Sequence, residues 1–232
     1  MTPVLMPVIT IDGPAASGKG TIAKQAAQAL RFHYLDSGAL YRLVALKALR
    51  TGTALDAEDA VSGLAGRLEA SFQGDAVRLD GANATAAIRT EAVSEAASRV
   101  ATLPRVREAL LARQRNFLRP PGLVAEGRDM GTVVFPDAVL KVFVTASPEE
   151  RARRRYNQLI EKGNSITLDS LLLDIRERDA RDAGRATAPM KPAAGALILD
   201  TTDLTVGAAT AFVVERYRSL TAAERRGGSN AP

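Results

Sequence analysis

The chain has 232 residues, of which 46% are hydrophobic and 25% charged, and it carries a formal net charge of +5 and no cysteine. This composition is typical of a globular protein with one substantial core, and it excludes disulfides, thiolate metal sites and cysteine nucleophiles. No apolar run approaches the ~20 residues of a membrane-spanning helix. Residues 1–7 lack the basic and apolar regions of a signal peptide. We therefore expect a cytoplasmic protein that binds no membrane.

A glycine-rich loop follows the first apolar run of the chain, residues 8–11. Gly13 and Gly18 have the spacing G-x-x-x-x-G-K, and Lys19 precedes a helical pattern at residues 22–30. Strand, glycine loop and helix are the context in which backbone N–H groups and a helix N-terminus bind phosphate. The pattern therefore predicts a phosphate-binding loop in which Lys19 is a point charge for the outer phosphates. The alternative interpretation is an ordinary strand-to-helix turn rich in small residues.

The residue after Lys19 departs from the usual form of this loop. Phosphate loops commonly have Ser or Thr at that position to contact magnesium. This chain has Gly20 there and places Thr21 one residue later. The sequence Lys-Gly-Thr resembles that of small-molecule kinases of the nucleoside monophosphate type more than that of GTPases or motor ATPases.

Strand and helix patterns alternate through the rest of the chain. Strands are predicted at 7–12, 32–35, 123–126, 139–144 and 197–200, and helices at 22–30, 37–49, 104–118, from 148, at 168–181 and at 206–217. The stretch from 54 to about 100 predicts a helix, two short strands at 71–73 and 76–79, a turn at 80–83 and a second helix. The order predicts a doubly wound parallel α/β sheet with a small α+β insertion. A frayed tail is predicted from Thr221 onward.

Arginines recur at the ends of the predicted elements and do not form a stripe along one helix. Several adjoin acids, as in Arg128-Asp129 and Arg181-Asp182. Interleaved acids disfavour a nucleic-acid backbone, which requires a continuous basic track, and they favour one compact anion. For most individual arginines, a solvated surface charge is the simpler interpretation. The arginines at element ends are Arg42, Arg107, Arg128, Arg154, Arg155, Arg178 and Arg185.

Together these motifs resemble the bacterial cytidylate kinases. The matching stretches are residues 9–14, 18–21, 35–42, 104–110, 126–138 and 177–182. The segment from Gly127 to Thr132 is the most specific, because a generic phosphate loop does not predict it. The resemblance covers nearly the whole chain, except the middle of the insertion and the tail.

The resemblance implies a P-loop NTPase core at 1–59 and 101–232, a helical lid at about 150–186 and a nucleoside-monophosphate-binding insertion at 60–100. It implies that ATP is bound by Gly13, Pro14, Ala15, Ala16, Ser17, Gly18, Lys19, Gly20, Thr21 and Arg154. It implies that CMP is bound by Ser37, Arg42, Ser98, Arg107, Arg128, Asp129, Arg178, Asp182 and Arg185. Catalytic roles are expected for Lys19, Arg128 and Arg178. Asp129, Asp182 and Arg178 are expected to hold the sugar and base, and Arg42, Arg107 and Arg128 the phosphate.

The implied activity is transfer of the γ-phosphoryl group of ATP, with Mg²⁺, to CMP or dCMP. The acceptor is a phosphate oxygen that is already ionised at neutral pH, so no general base is required. Catalysis then consists of alignment and neutralisation of negative charge. Magnesium is expected to be held mainly by nucleotide oxygens and water, with Thr21 and Asp36 as candidate contacts.

Two other functions stay open from the sequence. One is a kinase for another small acceptor, such as UMP, AMP or shikimate. The other is a basic RNA-associated P-loop protein without turnover, which the interleaved acids disfavour. Because no large apolar stripe stands out in the sequence, we expect a monomer whose partners are ATP and CMP or dCMP, without nucleic acid.

Overall fold

The strand before the glycine-rich loop lies at the centre of a parallel sheet. A computed structural model, which describes residues 6–161 and 166–227, places β1 (Val8–Asp12) between β6 (Leu123–Gly127) and β7 (Leu140–Thr145). With β2 at His33–Asp36 and β8 at Leu197–Asp200, the described sheet has five strands in the order β2-β6-β1-β7-β8. β1 pairs in parallel with β6 and β7, and β7 pairs in parallel with β8. Every residue of β1 and β6 is buried, as expected of strands covered on both faces.

Helices complete the first of two compact units. Unit 1 consists of the described residues within Met1–Leu35, Phe117–Gly184 and Ala188–Pro232. Its helices are α1 (Lys19–Leu30), α6 (Pro148–Ile160), α7 (Leu168–Ala183) and α8 (Val206–Gly227). Its core packs Ile9 and Ile11 of β1 with Ile22 of α1 and Val213 of α8. Burial of these side chains therefore fixes α1, and with it the end of the glycine-rich loop, against the sheet. This five-stranded sheet with flanking helices is a P-loop NTPase α/β fold.

Unit 2 consists of helices and a small antiparallel sheet. It comprises Asp36–Asn116 and Arg185–Thr187, and the predicted insertion at 60–100 lies within it. Its elements are α2 (Ser37–Arg50), α3 (Glu58–Gly66), β3 (Ala70–Gln73), β4 (Ala76–Leu79), β5 (Ala82–Asn83), a 3₁₀ turn (Ala87–Arg89), α4 (Glu91–Val100) and α5 (Pro104–Arg115). α2 packs against α4, and α3 packs against α5.

The hairpin that follows β4 corrects one prediction. Residues 80–83 are predicted as a turn, but Ala82–Asn83 pairs with β4 as an antiparallel strand. Asp80 and Gly81 both have positive φ, 49° and 78°. Two successive residues of this kind form a tight hairpin turn, so the chain reverses within them and pairing resumes at once.

The other end of the chain corrects a second prediction. α8 continues to Gly227, so the frayed tail predicted from Thr221 is wrong as far as residue 227. Ala, Glu and Arg at 222–226 are strong helix formers. Residues 228–232 lie outside the described part of the chain, as do residues 1–5, on which the prediction of no signal peptide depends. No helix in the described ranges is long and apolar enough to cross a membrane.

Gly13 provides a test of how closely the loop approaches the sheet. It has a φ of +149°, and a Cβ at this position would collide with the carbonyl oxygen of Val144 on β7. We expect Gly13→Ala to lower the free energy of unfolding by about 3 kcal/mol or more, because strain and overpacking add. The measurement is urea denaturation followed by circular dichroism.

The matched control is Gly195→Ala. Gly195 also has a positive φ, +73°, but a Cβ there has nothing within 4 Å. Only backbone strain is then introduced, and a loss of about 1 kcal/mol is expected. Equal losses in the two variants would contradict the close approach of Gly13 to β7.

Candidate active site

The glycine-rich loop joins the buried β1 directly to α1. Gly18 is the N-cap of α1 with a φ of 86°, and Ala16 also has a positive φ of 58°. The first N–H groups of a helix have no carbonyl partner within it, and its N-terminus carries partial positive charge. The loop therefore has the strand, turn and helix geometry that phosphate binding requires.

Lys19 is held beside its own loop by a carboxylate from β6. Its Nζ lies 3.6 Å from Oε2 of Glu126 and donates to the carbonyl oxygen of Pro14 at 3.4 Å. The Tyr34 hydroxyl donates to Oε1 of Glu126 at 3.1 Å. Lys19 is thus kept at the loop by a carboxylate that a phosphate could replace. Sequence reasoning did not select Glu126 or Tyr34; the available signal was the position of Glu126 near the carboxyl end of a predicted strand.

Glu126 also explains the unusual residue after Lys19. A Cβ at Gly20 would lie 3.0 Å from Oε1 of Glu126, so a Ser or Thr side chain at this position would crowd the carboxylate. The Thr21 side chain is exposed. Within residues 6–161 and 166–227, no group of three or more His, Asp and Glu side chains is arranged to hold a metal ion. The atoms nearest to Gly20 are those of the Glu126 carboxylate, and carboxylate oxygens are ligands that magnesium accepts directly or through water.

Arg151 of α6 holds the carbonyl side of the loop. Its side chain is 3% exposed, and the guanidinium donates to the carbonyl oxygen of Ala15 at 3.3 Å and to both carboxylate oxygens of Asp179. A bidentate pair of this kind fixes direction as well as distance. Neither residue was selected from the sequence as a site residue, because the pair joins two helices whose packing a local pattern does not predict.

Arg154, one turn later on α6, contacts the same loop. Its Nη1 donates to the carbonyl oxygen of Ser17 at 3.3 Å and to Oγ1 of Thr201 at 3.2 Å. Thr201 Oγ1 also donates to Ser17 O, at 2.9 Å. The structure thus places the predicted ATP residue Arg154 against the predicted phosphate loop.

The loop after β6 brings together several residues predicted for the acceptor. Arg128 Nε donates to Oδ2 of Asp182 at 2.9 Å, and Asp182 is 1% exposed. Asp129 is also buried. Arg178 lies one turn before Asp182 on α7 and is half-buried. Unit 1 therefore collects two arginines and two buried acids at the end of β6 and along α7.

Asp12, the last residue of β1, accepts two backbone hydrogen bonds from the same loop. Its Oδ1 accepts the N–H of Met130 and its Oδ2 accepts the N–H of Gly131, both at 2.8 Å. Met130–Val134 forms a π-helical turn, which the sequence pattern does not predict. Burial is the main reason why the pKa of Asp12 is raised to about 7, and the nearby charge of Asp129 raises the pKa further. The two N–H donors and the charge of Arg128 lower the pKa but do not cancel the effect of burial.

In unit 2, Asp36 organises the start of α2. It is the N-cap and accepts the N–H of Ala39 at 2.9 Å, while Arg42 donates to its other oxygen at 2.7 Å. Aspartate is one of the residues preferred at this position, because its side-chain oxygen accepts an N–H group of the first helical turn. Asp36 therefore also positions the predicted acceptor residue Arg42.

The other predicted acceptor residues of unit 2 are mostly buried. The Ser37 hydroxyl donates to Oε1 of Gln114 at 2.6 Å, and both side chains are buried. Arg107 donates to the Ala101 carbonyl oxygen at 3.2 Å, with its guanidinium carbon 5.8 Å from the centre of the Tyr41 ring. Ser98 on α4 is buried, and Arg185 is half-buried at the start of 185–187. Gln114 and Tyr41 were not selected as site residues.

A model of the cytidylate kinase family matches residues 9–219. The chain belongs to the cytidylate kinase family. A cytidylate kinase of Paraburkholderia phymatum is 56% identical over 214 residues, covering 92% of this chain and 94% of that protein. One of Burkholderia cenocepacia is 57% identical over 214 residues, with the same coverages of 92% and 94%. One of Chromobacterium violaceum is 56% identical over 212 residues, covering 91% and 96%.

The matched region of the cytidylate kinase family includes every residue discussed above as a candidate site residue, from Asp12 to Thr201. The resemblance read from the sequence is therefore confirmed at the level of the family. More than half of the aligned residues are identical over nearly the full length of the chain, so this chain has the same fold as these relatives.

The buried Asp12 predicts a pH dependence of stability. Its pKa in the folded chain is raised from 3.8 to about 7, so the folded chain binds this proton more tightly than the unfolded chain does. As pH rises between these two values, the wild type should lose unfolding free energy relative to Asp12→Asn, by up to roughly 1.4 kcal/mol per pH unit. The measurement is urea unfolding of both proteins at several pH values in this range. A difference in unfolding free energy that does not change with pH would contradict the prediction.

Proposed function

We propose that this protein is a cytidylate kinase, which transfers the γ-phosphoryl group of ATP to CMP or dCMP. Membership of the family supports this activity. The main structural support for this activity is the loop after β6, in which Arg128 pairs with the buried Asp182. β6 is paired with β1, and β1 leads directly into the proposed phosphate loop. Cationic groups and buried acids at this edge of the sheet suit an acceptor that has both a phosphate and polar hydroxyl and amino groups.

The ATP site is proposed at residues 13–21 and Arg154. The N–H groups of the loop and the N-terminus of α1 would bind the phosphates, and Lys19 would add its charge by moving from Glu126 to the nucleotide. Arg154 and Arg151, which already hold the carbonyl side of the loop, would keep its shape when the phosphates bind.

The residues proposed to contact CMP are given separately for each unit. In unit 1, Arg128 would contact the phosphate, while Asp129, Arg178 and Asp182 would hold the sugar and base. Carboxylates accept hydrogen bonds from hydroxyl and amino groups, which is the property a cytidine requires. In unit 2 the proposed residues are Ser37, Arg42, Ser98, Arg107 and Arg185.

The reaction needs no protein base. A phosphate oxygen of CMP attacks the γ-phosphorus, the bond to the β,γ-bridging oxygen breaks, and ADP leaves. Lys19, Arg128 and Arg178 would neutralise charge as it spreads over the transferred group. Bound with ATP, Mg²⁺ would supply further neutralisation of the phosphates, and the Thr21 hydroxyl and the Glu126 carboxylate would be its contacts from the phosphate loop and β6. Asp36, a candidate contact from the sequence, is engaged with Arg42 and Ala39.

Other features of the prediction belong to the same proposal. Residues 60–100 would form the nucleoside-monophosphate-binding segment, and the helices at about 150–186 would form a lid that excludes water, which could otherwise accept the phosphoryl group. We infer a cytoplasmic monomer that uses ATP and CMP or dCMP and binds neither nucleic acid nor membranes.

The charge-neutralising residues give one test. We expect Lys19→Ala and Arg128→Ala to lower kcat/KM for CMP by roughly two orders of magnitude or more while the protein stays folded. Because Arg128→Ala leaves a buried carboxylate with one partner fewer, Arg128→Lys is added; it keeps the charge but loses the planar fork. A coupled assay of ADP release, with circular dichroism for folding, provides the measurement.

The matched control is Arg50→Ala, which removes an exposed arginine at the end of α2. Its activity should equal that of the wild type. Full activity in folded Lys19→Ala or Arg128→Ala would refute the roles given to these residues.

The identity of the acceptor gives a second test. ADP release from ATP and magnesium should be fast with CMP and dCMP and much slower with UMP, AMP and shikimate. Preference for another acceptor would replace the proposal by a kinase of that substrate. An RNA-associated protein would instead show no CMP-dependent ADP release and would bind long RNA with a steep salt dependence.

A further inference from the structure

Asp12 holds the turn that follows the two acceptor residues on the β6 loop. We propose that it is a positioning residue for acceptor binding, acting through Met130 and Gly131 on Arg128 and Asp129. The proposal rests on the proposed function, which places Arg128 and Asp129 at CMP. It concerns a residue that touches neither the nucleotide phosphates nor the reacting atoms in that scheme.

The contacts of Asp12 are unusually complete for a carboxylate at the end of a buried strand. The side chain is 4% exposed, and each of its oxygens accepts one backbone N–H at 2.8 Å. The donors are the first two N–H groups of the π-helical turn at Met130–Val134. Asp129 is the N-cap of that turn, but its side chain makes no capping hydrogen bond. Asp12, on β1, instead accepts the N–H groups at the start of the turn, which have no carbonyl partner within it.

The turn is also pressed against β1. A Cβ at Gly131 would lie 2.8 Å from Oγ1 of Thr10 and 3.5 Å from Oδ2 of Asp12. The close approach of Thr10 and the two hydrogen bonds to Asp12 therefore restrict movement of the start of the turn. Since Asp129 immediately precedes Met130, its backbone and that of Arg128 are fixed by the same contacts.

The phosphate loop, in contrast, has its own supports. Lys19 donates to Pro14, Arg151 to Ala15 and Arg154 to Ser17. None of these bonds involves the side chain of Asp12. A change at that side chain should therefore affect the acceptor residues more than the ATP residues, although Asp12 directly precedes Gly13.

Asparagine is the informative substitution because it keeps the shape of Asp12. One of its terminal atoms is an NH₂ group, which donates and does not accept. Asn at position 12 can accept one of the two backbone N–H groups, and the other N–H then faces a donor in a buried site. The turn should shift to relieve this contact, and Arg128 and Asp129 should shift with it.

The test compares Asp12→Asn with the wild type as full-length proteins. Binding of CMP alone is measured by calorimetry, and KM values for CMP and ATP are measured separately. We expect the Kd and KM for CMP to rise about tenfold, as loss of one buried hydrogen bond to a charged group would produce, and the KM for ATP to change less than about twofold. The matched control is Asp56→Asn, the same substitution at an exposed aspartate between α2 and α3, and it should leave all three constants unchanged.

Several outcomes would overturn the inference. One is folded Asp12→Asn that binds CMP as tightly as the wild type, and another is an equal rise of both KM values, which a general loss of structure would produce. If Asp12→Asn does not fold, Gly131→Ala displaces the same turn through Thr10, and unchanged CMP affinity in that variant is decisive against the role. A wild type that binds no CMP would instead refute the proposed function, and the inference with it.

Discussion

The pairing of β1 with β6 is the constraint on which the rest of unit 1 depends. In its parallel register Asp12 lies opposite Gly127, so the two strands end side by side at one edge of the sheet. One chain continues into the glycine-rich loop and the other into the loop that carries Arg128 and Asp129. Two loops with different chemistry are thus adjacent because parallel strands present their carboxyl ends together. A slip of one residue would move Asp12 away from the N–H groups that it binds.

Charge in unit 1 is organised as pairs. Lys19 contacts Glu126, Arg128 contacts Asp182, and Arg151 contacts Asp179. Removing such charges from water is costly, and a buried pair seldom adds net stability over apolar packing. Their presence is better explained by a requirement for cations held at defined positions before any anion arrives. Two of the acids that interrupt the arginines in the sequence, Asp179 and Asp182, belong to these pairs.

Asp12 shows the conflict between stability and positioning at this edge. Burial raises its pKa to about 7, so near neutral pH the charged form is held against the preference of its surroundings. A neutral side chain would avoid this cost but would not accept both N–H groups of the turn. Departures from local rules of this kind are expected where a structure serves a site. Gly20 is a similar case, because the glycine makes room for the Glu126 carboxylate.

The sequence by itself determined most of the local elements and the glycine-rich loop that joins β1 to α1. The spacing of glycines, the apolar periodicity and the caps act over a few residues, so they predict β1, the loop and α1 without knowledge of distant contacts. The specific loop after β6 further identified the family, and the residues proposed to bind the acceptor followed from the resemblance. Only the tertiary structure decided which side chains pair. Arg128 and Asp182 are 54 positions apart, and Asp12 reaches N–H groups 118 and 119 positions away. Those contacts depend on strand register and helix packing, which are properties of the whole fold that no local pattern encodes.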